Sequence, residues 1–143
     1  MRKFFVILMF VSLLSAAACS SVEQHVVSTL LGNYVSAQEA LASDNLPAAV
    51  QAFGAMAPDS DGALEKMVLE ISEAEDLESV RSRFKQLSEK IREMDLPEGY
   101  VAVHCPMADD GKGADWVQKE GDIANPYFGT AMKECGEIIE TSE

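Results

Sequence analysis

From Val22 to about Met94 apolar residues recur at steps of three and four, a spacing that puts them on one face of a helix and leaves little room for any other local structure. Val27, Leu30, Tyr34, Ala37 and Leu41 form a first stripe, ending near Ser43. Asp44-Asn45 supplies an N-cap and Pro47 a first-turn proline, after which Ala49, Val50, Phe53 and Met56 make a second, shorter stripe that stops by Pro58. The run Pro58-Asp59-Ser60-Asp61-Gly62 is turn chemistry, followed by Leu64, Met67, Val68, Ile71 and Ala74. Near Glu75-Asp76 the phase shifts by one residue. Leu77, Val80, Phe84, Leu87, Ile91 and Met94 then make the clearest stripe of all, closed by Leu96-Pro97. Four helices joined by short connections predict an all-α fold, an irregular up-and-down four-helix bundle over residues 27–95. Five of the nine basic residues beyond position 18 lie on the fourth helix: Arg81, Arg83, Lys85, Lys90 and Arg92, among Glu78, Glu89 and Glu93. They read as a solvated face with helix-spaced ion pairs.

After Gly99 the pattern changes. Tyr100 to Cys105 is β-branched and short enough for a strand or extended segment, and Pro106 ends it. Asp109 to Gly113 is a turn, Asn125-Pro126-Tyr127-Phe128-Gly129 a second turn, and Thr130 to Cys135 a helical turn with Gly136 as its stop. Residues 96–136 are therefore expected to form a short, loop-rich C-terminal cap on the bundle that carries two cysteines, with 137–143 as a frayed tail. Trp116 and Tyr127-Phe128 read as its apolar plug.

The N-terminus assigns a compartment. Arg2-Lys3, the apolar run Phe4 to Leu14, and Ser15 to Ala18 ahead of Cys19 have the layout of a secretory signal. That run is too short to stay in a bilayer as a spanning helix. Small residues before a cysteine also read as a lipobox, with residues 1–18 removed, Cys19 lipidated and 19–26 a tether. Ala16 stands where the usual motif has leucine, and plain cleavage after Ala18 is the alternative. Serines at positions 20 and 21, with no aspartate after the cysteine, resemble the sorting signals of enteric bacteria, a resemblance that implies the outer membrane, on the periplasmic side of the envelope. Cleavage takes the formal charge from −13 to −15 and leaves about 125 residues, the size of one domain. A chain so acidic does not bind nucleic acid by neutralising phosphates.

With Cys19 spent on the anchor, the remaining sulfur chemistry is concentrated at the C-terminus. Cys105 and Met107 are two apart, and Met132 and Cys135 are three apart, spacings that turn both members of a pair to one side of a strand or a helical turn. If the pairs meet, two thiolates and two thioethers make a soft site for Cu(I) or Ag(I). His104 is adjacent and a weaker candidate, since an extended segment turns it away from Cys105. The competing readings are a Cys105–Cys135 disulfide, closing a loop of about thirty residues and stabilising by roughly 3 to 4 kcal/mol, and methionines that only fill the core. His25 reads as a tether residue. Neither histidine sits in a nucleophile-and-base pattern, so no enzyme is expected.

Cys105-Pro106-Met107-Ala108, Trp116, Ile123, Asn125-Pro126-Tyr127-Phe128-Gly129, Met132 and Cys135-Gly136 resemble the signature of an uncharacterised bacterial domain family. That family occurs in stand-alone periplasmic proteins and fused to the membrane-fusion (adaptor) subunits of copper and silver efflux systems of the resistance-nodulation-division class. The resemblance covers residues 100 to 136. It implies a helical domain near heavy-metal handling, with Cys105, Met107, Met132 and Cys135 as the metal-touching positions, Trp116 and Asn125 to Gly129 as structural signature residues, and an efflux adaptor or other envelope protein as a partner. The function expected on these grounds is capture or relay of monovalent copper or silver. The alternative is a metal-free module that docks on an envelope protein, with the two cysteines joined.

Overall fold

The computed structural model describes residues 24–139. The expected signal segment, the expected lipidation site Cys19, the first part of the expected tether and the end of the tail lie outside the described residues. Helix α1 covers residues 24–42, so the last residues assigned to a tether are already helical. Helices α2 (Leu46–Met56), α3 (Gly62–Ser72) and α4 (Leu77–Arg92) follow, close to where the periodicity puts them. The caps explain the boundaries. Asn45 accepts the Ala48 N–H through its side chain with Pro47 in the first turn, and Asp76 accepts the Ser79 N–H at 2.8 Å. A 3₁₀ turn, Ala57–Asp59, carries the chain around Pro58.

The remaining third corrects the all-α expectation. Three strands, β1 (Tyr100–Cys105), β2 (Ala114–Lys119) and β3 (Glu137–Ile139), form an antiparallel sheet in the order β2-β1-β3, and the fold is mixed α and β. β1 was legible. β2, Ala-Asp-Trp-Val-Gln-Lys, has too few apolar residues to show a period of two, and β3 corrects the first part of what reads as a frayed tail over 137–143. Both are recruited by β1: Tyr100 pairs with Lys119 through to Cys105 with Ala114 on one side, and Ala102 with Ile139, Val103 with Ile138 and His104 with Glu137 on the other. Between β1 and β2, Asp109 and Asp110 both take the left-handed backbone conformation and reverse the chain.

One core joins helices and sheet. Phe84 of α4 stacks on Tyr34 of α1 with centroids 5.4 Å apart, meets Phe53 of α2 at 5.9 Å, and meets Tyr127 of the C-terminal turn at 5.7 Å; Tyr127 in turn meets Trp116 of β2 at 6.0 Å. The outer edge of β2 is sealed by the same rings. The Val117 N–H donates to the Tyr34 hydroxyl at 3.2 Å, and the Tyr127 hydroxyl donates to the Asp115 carbonyl at 2.6 Å. These bonds satisfy two of the backbone groups that an edge strand otherwise leaves open. No helix among the described residues is long and apolar enough to cross a membrane.

Candidate functional site: the Cys105–Cys135 pair and its frame

Cys105 is the last residue of the central strand. It is fully buried, with Val103, Ala114 and Trp116 in the same core. Cys135 lies thirty positions further on, half-buried, two residues before β3. Because β3 runs antiparallel to β1, the residues just before it come level with the end of β1 and set the two sulfurs side by side. Their Sγ atoms are 2.7 Å apart, inside ordinary van der Waals contact of two thiols. Both cysteines are unbonded in this structure. The hydrogen bond with Cys105, and after it burial, pushes the Cys135 thiol up to about 11, so it keeps its proton at neutral pH.

Asn125 holds Cys135 in place. This fully buried side chain donates from Nδ2 to the Cys135 carbonyl at 2.6 Å, while its Oδ1 accepts the N–H groups of Tyr127 at 2.8 Å and Phe128 at 3.1 Å. Its own N–H donates to the Lys133 carbonyl at 2.7 Å. One asparagine therefore shapes the Asn-Pro-Tyr-Phe-Gly turn and ties it to the cysteine segment. Gln118 does similar work one loop earlier: its Oε1 accepts from the Trp116 indole and the Ala124 N–H, and its Nε2 donates to the Asp122 carbonyl.

The turn is clasped to the helices by Arg81. Its Nε donates to the Pro126 carbonyl at 2.8 Å, and Nη2 reaches both the Leu41 carbonyl at 2.9 Å and Asp44 Oδ1 at 2.6 Å. The other Asp44 oxygen accepts from the Thr130 N–H and hydroxyl. The Thr130 bonds and the Arg81 guanidinium hold the Asp44 carboxyl down at about 2. Gly129 passes beside this clasp with φ +57°, where a Cβ would overlap Asp44 Oδ1 and Arg81 Nη2. The solvated-face reading of α4 is corrected accordingly. Arg81, Lys85 (to Asp109, 2.6 Å) and Arg92 (to Asp115) all bind the C-terminal segment, and among the described ion pairs of these residues only Lys90–Glu93 stays local to the helix. Periodicity located these charges but carried no signal of their partners, which are 23 to 45 residues away in sequence.

The other anticipated ligands sit differently. His104 faces away from Cys105 and hydrogen-bonds Asp115, its partner across the β1–β2 ladder, at 2.6 Å. Met107 lies beyond the end of β1 and is 54 % exposed. It borders a groove of about 630 Å³ between α4 and the turns, shared with Leu77, Arg81, Lys85, Tyr127 and Phe128 and lined by neither cysteine. Met132 is exposed to solvent no more than its neighbours in the turn, and its carbonyl accepts the Cys135 N–H at 3.1 Å. Among the described residues no three of His, Cys, Asp and Glu gather as a metal-binding group. The signature residues Trp116, Asn125, Tyr127 and Gly129 are all engaged in packing, clasping or hydrogen bonding within the frame. Comparison with protein-family models, with curated proteins and with solved structures returns no match.

Proposed function

We propose that this chain is a lipid-anchored envelope protein that holds a soft monovalent ion, Cu(I) or Ag(I), on the reduced Cys105–Cys135 pair. The observation that carries the reading is the meeting of two sulfurs thirty residues apart in sequence, one rigid in a central strand and one half-exposed. Polarisable sulfur suits Cu(I) and Ag(I), and the ion takes the place of the two thiol protons. Met132, three residues before Cys135, is the thioether that would complete the ligand set; Met107, in its own groove, suits passage of the ion to or from a partner. Oxidation of the same pair closes it as a disulfide and withdraws both ligands. The role is capture or relay without turnover, in copper or silver handling at the periplasmic face of the outer membrane.

The test is anaerobic titration of the reduced protein with Cu(I) held by a competing chromophoric chelator. One equivalent should leave the chelator. The C105S/C135S variant should withdraw none while keeping its helical circular dichroism, and undiminished uptake by that variant would sink the assignment. A second reading is a metal-free docking module with a permanent Cys105–Cys135 bridge. It draws on the Met107 groove, whose half-exposed thioether, Phe128 and flanking charges suit an envelope protein such as an efflux adaptor. Equal capture of such an adaptor by wild type and by the cysteine-free variant would favour that reading.

A further inference from the structure

The two cysteines differ in what can reach them. Cys105 is fully buried at the end of the central strand, in one core with Val103, Ala114 and Trp116. Cys135 is half-buried on the loop before β3, so solutes meet its side of the pair. The chain just beyond it lies on the same core: a Cβ on Gly136 would come within 2.7 Å of the Trp116 ring and 2.9 Å of Val103. The segment that carries Cys135 therefore also covers the core that holds Cys105. The backbone of Cys135 is fixed on both sides, its N–H donating to the Met132 carbonyl at 3.1 Å and its carbonyl accepting from Asn125 Nδ2 at 2.6 Å. What remains free is rotation of its side chain about Cα–Cβ, which turns the sulfur outward while strand and turn stay in place. Cys105 lacks that outlet, because its side chain is enclosed by close-packed neighbours.

We infer that a closed Cys105–Cys135 bridge is opened by a dithiol that attacks Cys135, with Cys105 as the leaving sulfur. The inference rests on the soft-ion reading only for its purpose, since an ion that replaces two thiol protons needs the reduced pair; the chemistry belongs to the bridge. Displacement on a disulfide needs a thiolate in line with the S–S bond, so the sulfur that solutes reach is the one attacked. A thiol and the bridge give a mixed disulfide on Cys135 and a Cys105 thiol. One S–S bond breaks, one forms, and the proton lost by the incoming sulfur is balanced by one taken up on Cys105. The mixed disulfide has two fates. Cys105, anchored in β1 beside the fixed backbone of Cys135, returns to Cys135 and expels the newcomer, restoring the bridge. A second thiol on the reductant instead attacks the reductant's own sulfur, closes a disulfide there and releases Cys135 as a thiol. The two electrons that reduce the pair then come from the two thiols of the reductant. A monothiol is displaced by a neighbour at high effective concentration, whereas a dithiol competes with that neighbour from within the same complex. The class of reaction that supplies the ion-binding form of this chain is thus thiol–disulfide exchange with a dithiol, received on the Cys135 side.

The test uses full-length protein carrying Cys19→Ser, so that Cys105 and Cys135 are its only cysteines, oxidised to the bridged form. Glutathione is the monothiol probe and dithiothreitol the dithiol probe. After acid quenching, peptide mass mapping should find glutathione on Cys135 and not on Cys105. Dithiothreitol should reach half-reduction at a concentration about a hundredfold or more below that of glutathione. Single variants carry the choice of sulfur where the mixed disulfide is too short-lived to map. In reduced protein, Cys135 of the Cys105→Ala variant should react with a chromogenic aromatic disulfide about tenfold or more faster than Cys105 of the Cys135→Ala variant. Glutathione mapped to Cys105, or equal rates in variants that keep their helical circular dichroism, overturns the assignment of Cys135. Half-reduction by both probes at like concentrations overturns the need for a dithiol. Exchange at Cys135 in a protein that takes no Cu(I) from its chelator removes the soft-ion reading and leaves the inference standing; copper uptake with attack at Cys105 does the reverse.

Discussion

Arg81, Asp44 and Gly129 show how much of this protein rests on contacts that a single substitution removes. Arg81 binds two carbonyls and a carboxylate belonging to two separate segments, the end of α1 and the Asn-Pro-Tyr-Phe-Gly turn, with its side chain 19 % exposed. Arg81→Ala leaves those acceptors without a donor and should cost about 3 kcal/mol in urea unfolding, whereas an exposed pair such as Lys66–Glu70 should cost under about 1 kcal/mol when broken. Gly129→Ala combines a left-handed backbone with direct overlap on the clasp and should destabilise by about 2 kcal/mol or more, by the same measurement. Asp44 adds a pH signature. Its carboxyl is held at about 2 in the folded chain against 3.8 as its ordinary value, so the unfolded chain takes up its proton first as pH falls. The stability it contributes is complete above about pH 4 and disappears between about pH 4 and 2. Asp44→Asn should flatten the acid limb of the stability curve over that window; an unchanged limb would exclude Asp44 as its source.

At the scale of elements, the decisive contact is between helices and the edge of β2. Tyr34 is buried with its hydroxyl shared between Ser88 at 2.7 Å and the Val117 N–H at 3.2 Å, and burial raises its pKa well above the ordinary tyrosine value. Tyr34→Phe keeps the ring stacked on Phe84 but leaves a buried backbone N–H and a buried serine hydroxyl unmatched. The expected loss is about 1 to 3 kcal/mol, with faster amide exchange at Val117 and little change at Val101. The four helices were legible because each contains its own apolar stripe and a stop, and α2 its own cap and first-turn proline besides. α4 was read from its stripe of Leu77, Val80, Phe84, Leu87, Ile91 and Met94 and the stop at Leu96-Pro97; the structure ends it at Arg92 and adds the Asp76 cap. β1 was legible from Val101, Val103 and the stop at Pro106. β2 and β3 were not, because their pairing with β1 is non-local and their own residues, Asp115, Gln118 and Glu137 among them, are ordinary loop chemistry.

For the whole molecule, the ring cluster Tyr34–Phe84–Tyr127–Trp116 and the Arg81 clasp make helices and sheet one cooperative unit. Urea unfolding followed by far-ultraviolet circular dichroism, which reports the helices, and by fluorescence of Trp116, the one tryptophan, should give superimposable transitions. Separate midpoints would mean that the C-terminal segment is an independent appendage. Closing the Cys105–Cys135 bridge should raise the common midpoint by the equivalent of about 3 to 4 kcal/mol, since it shortens an otherwise free loop of the unfolded chain.

The helices, the Asn45 cap, the first strand and the sulfur residues with soft side chains could be read from the sequence, because periodicity, capping and side-chain softness are properties of a residue and its near neighbours. The sequence also named Cys105 and Cys135 as a pair while leaving open whether they meet. Tertiary structure alone decided that they do, that His104 is turned to Asp115, that Met107 stands in a separate groove, and that an acidic tail supplies a strand. Each of these depends on which segments the central strand and the Phe84 cluster bring together, and such long-range selection is made by the shared burial of residues that carry no mark of their partners.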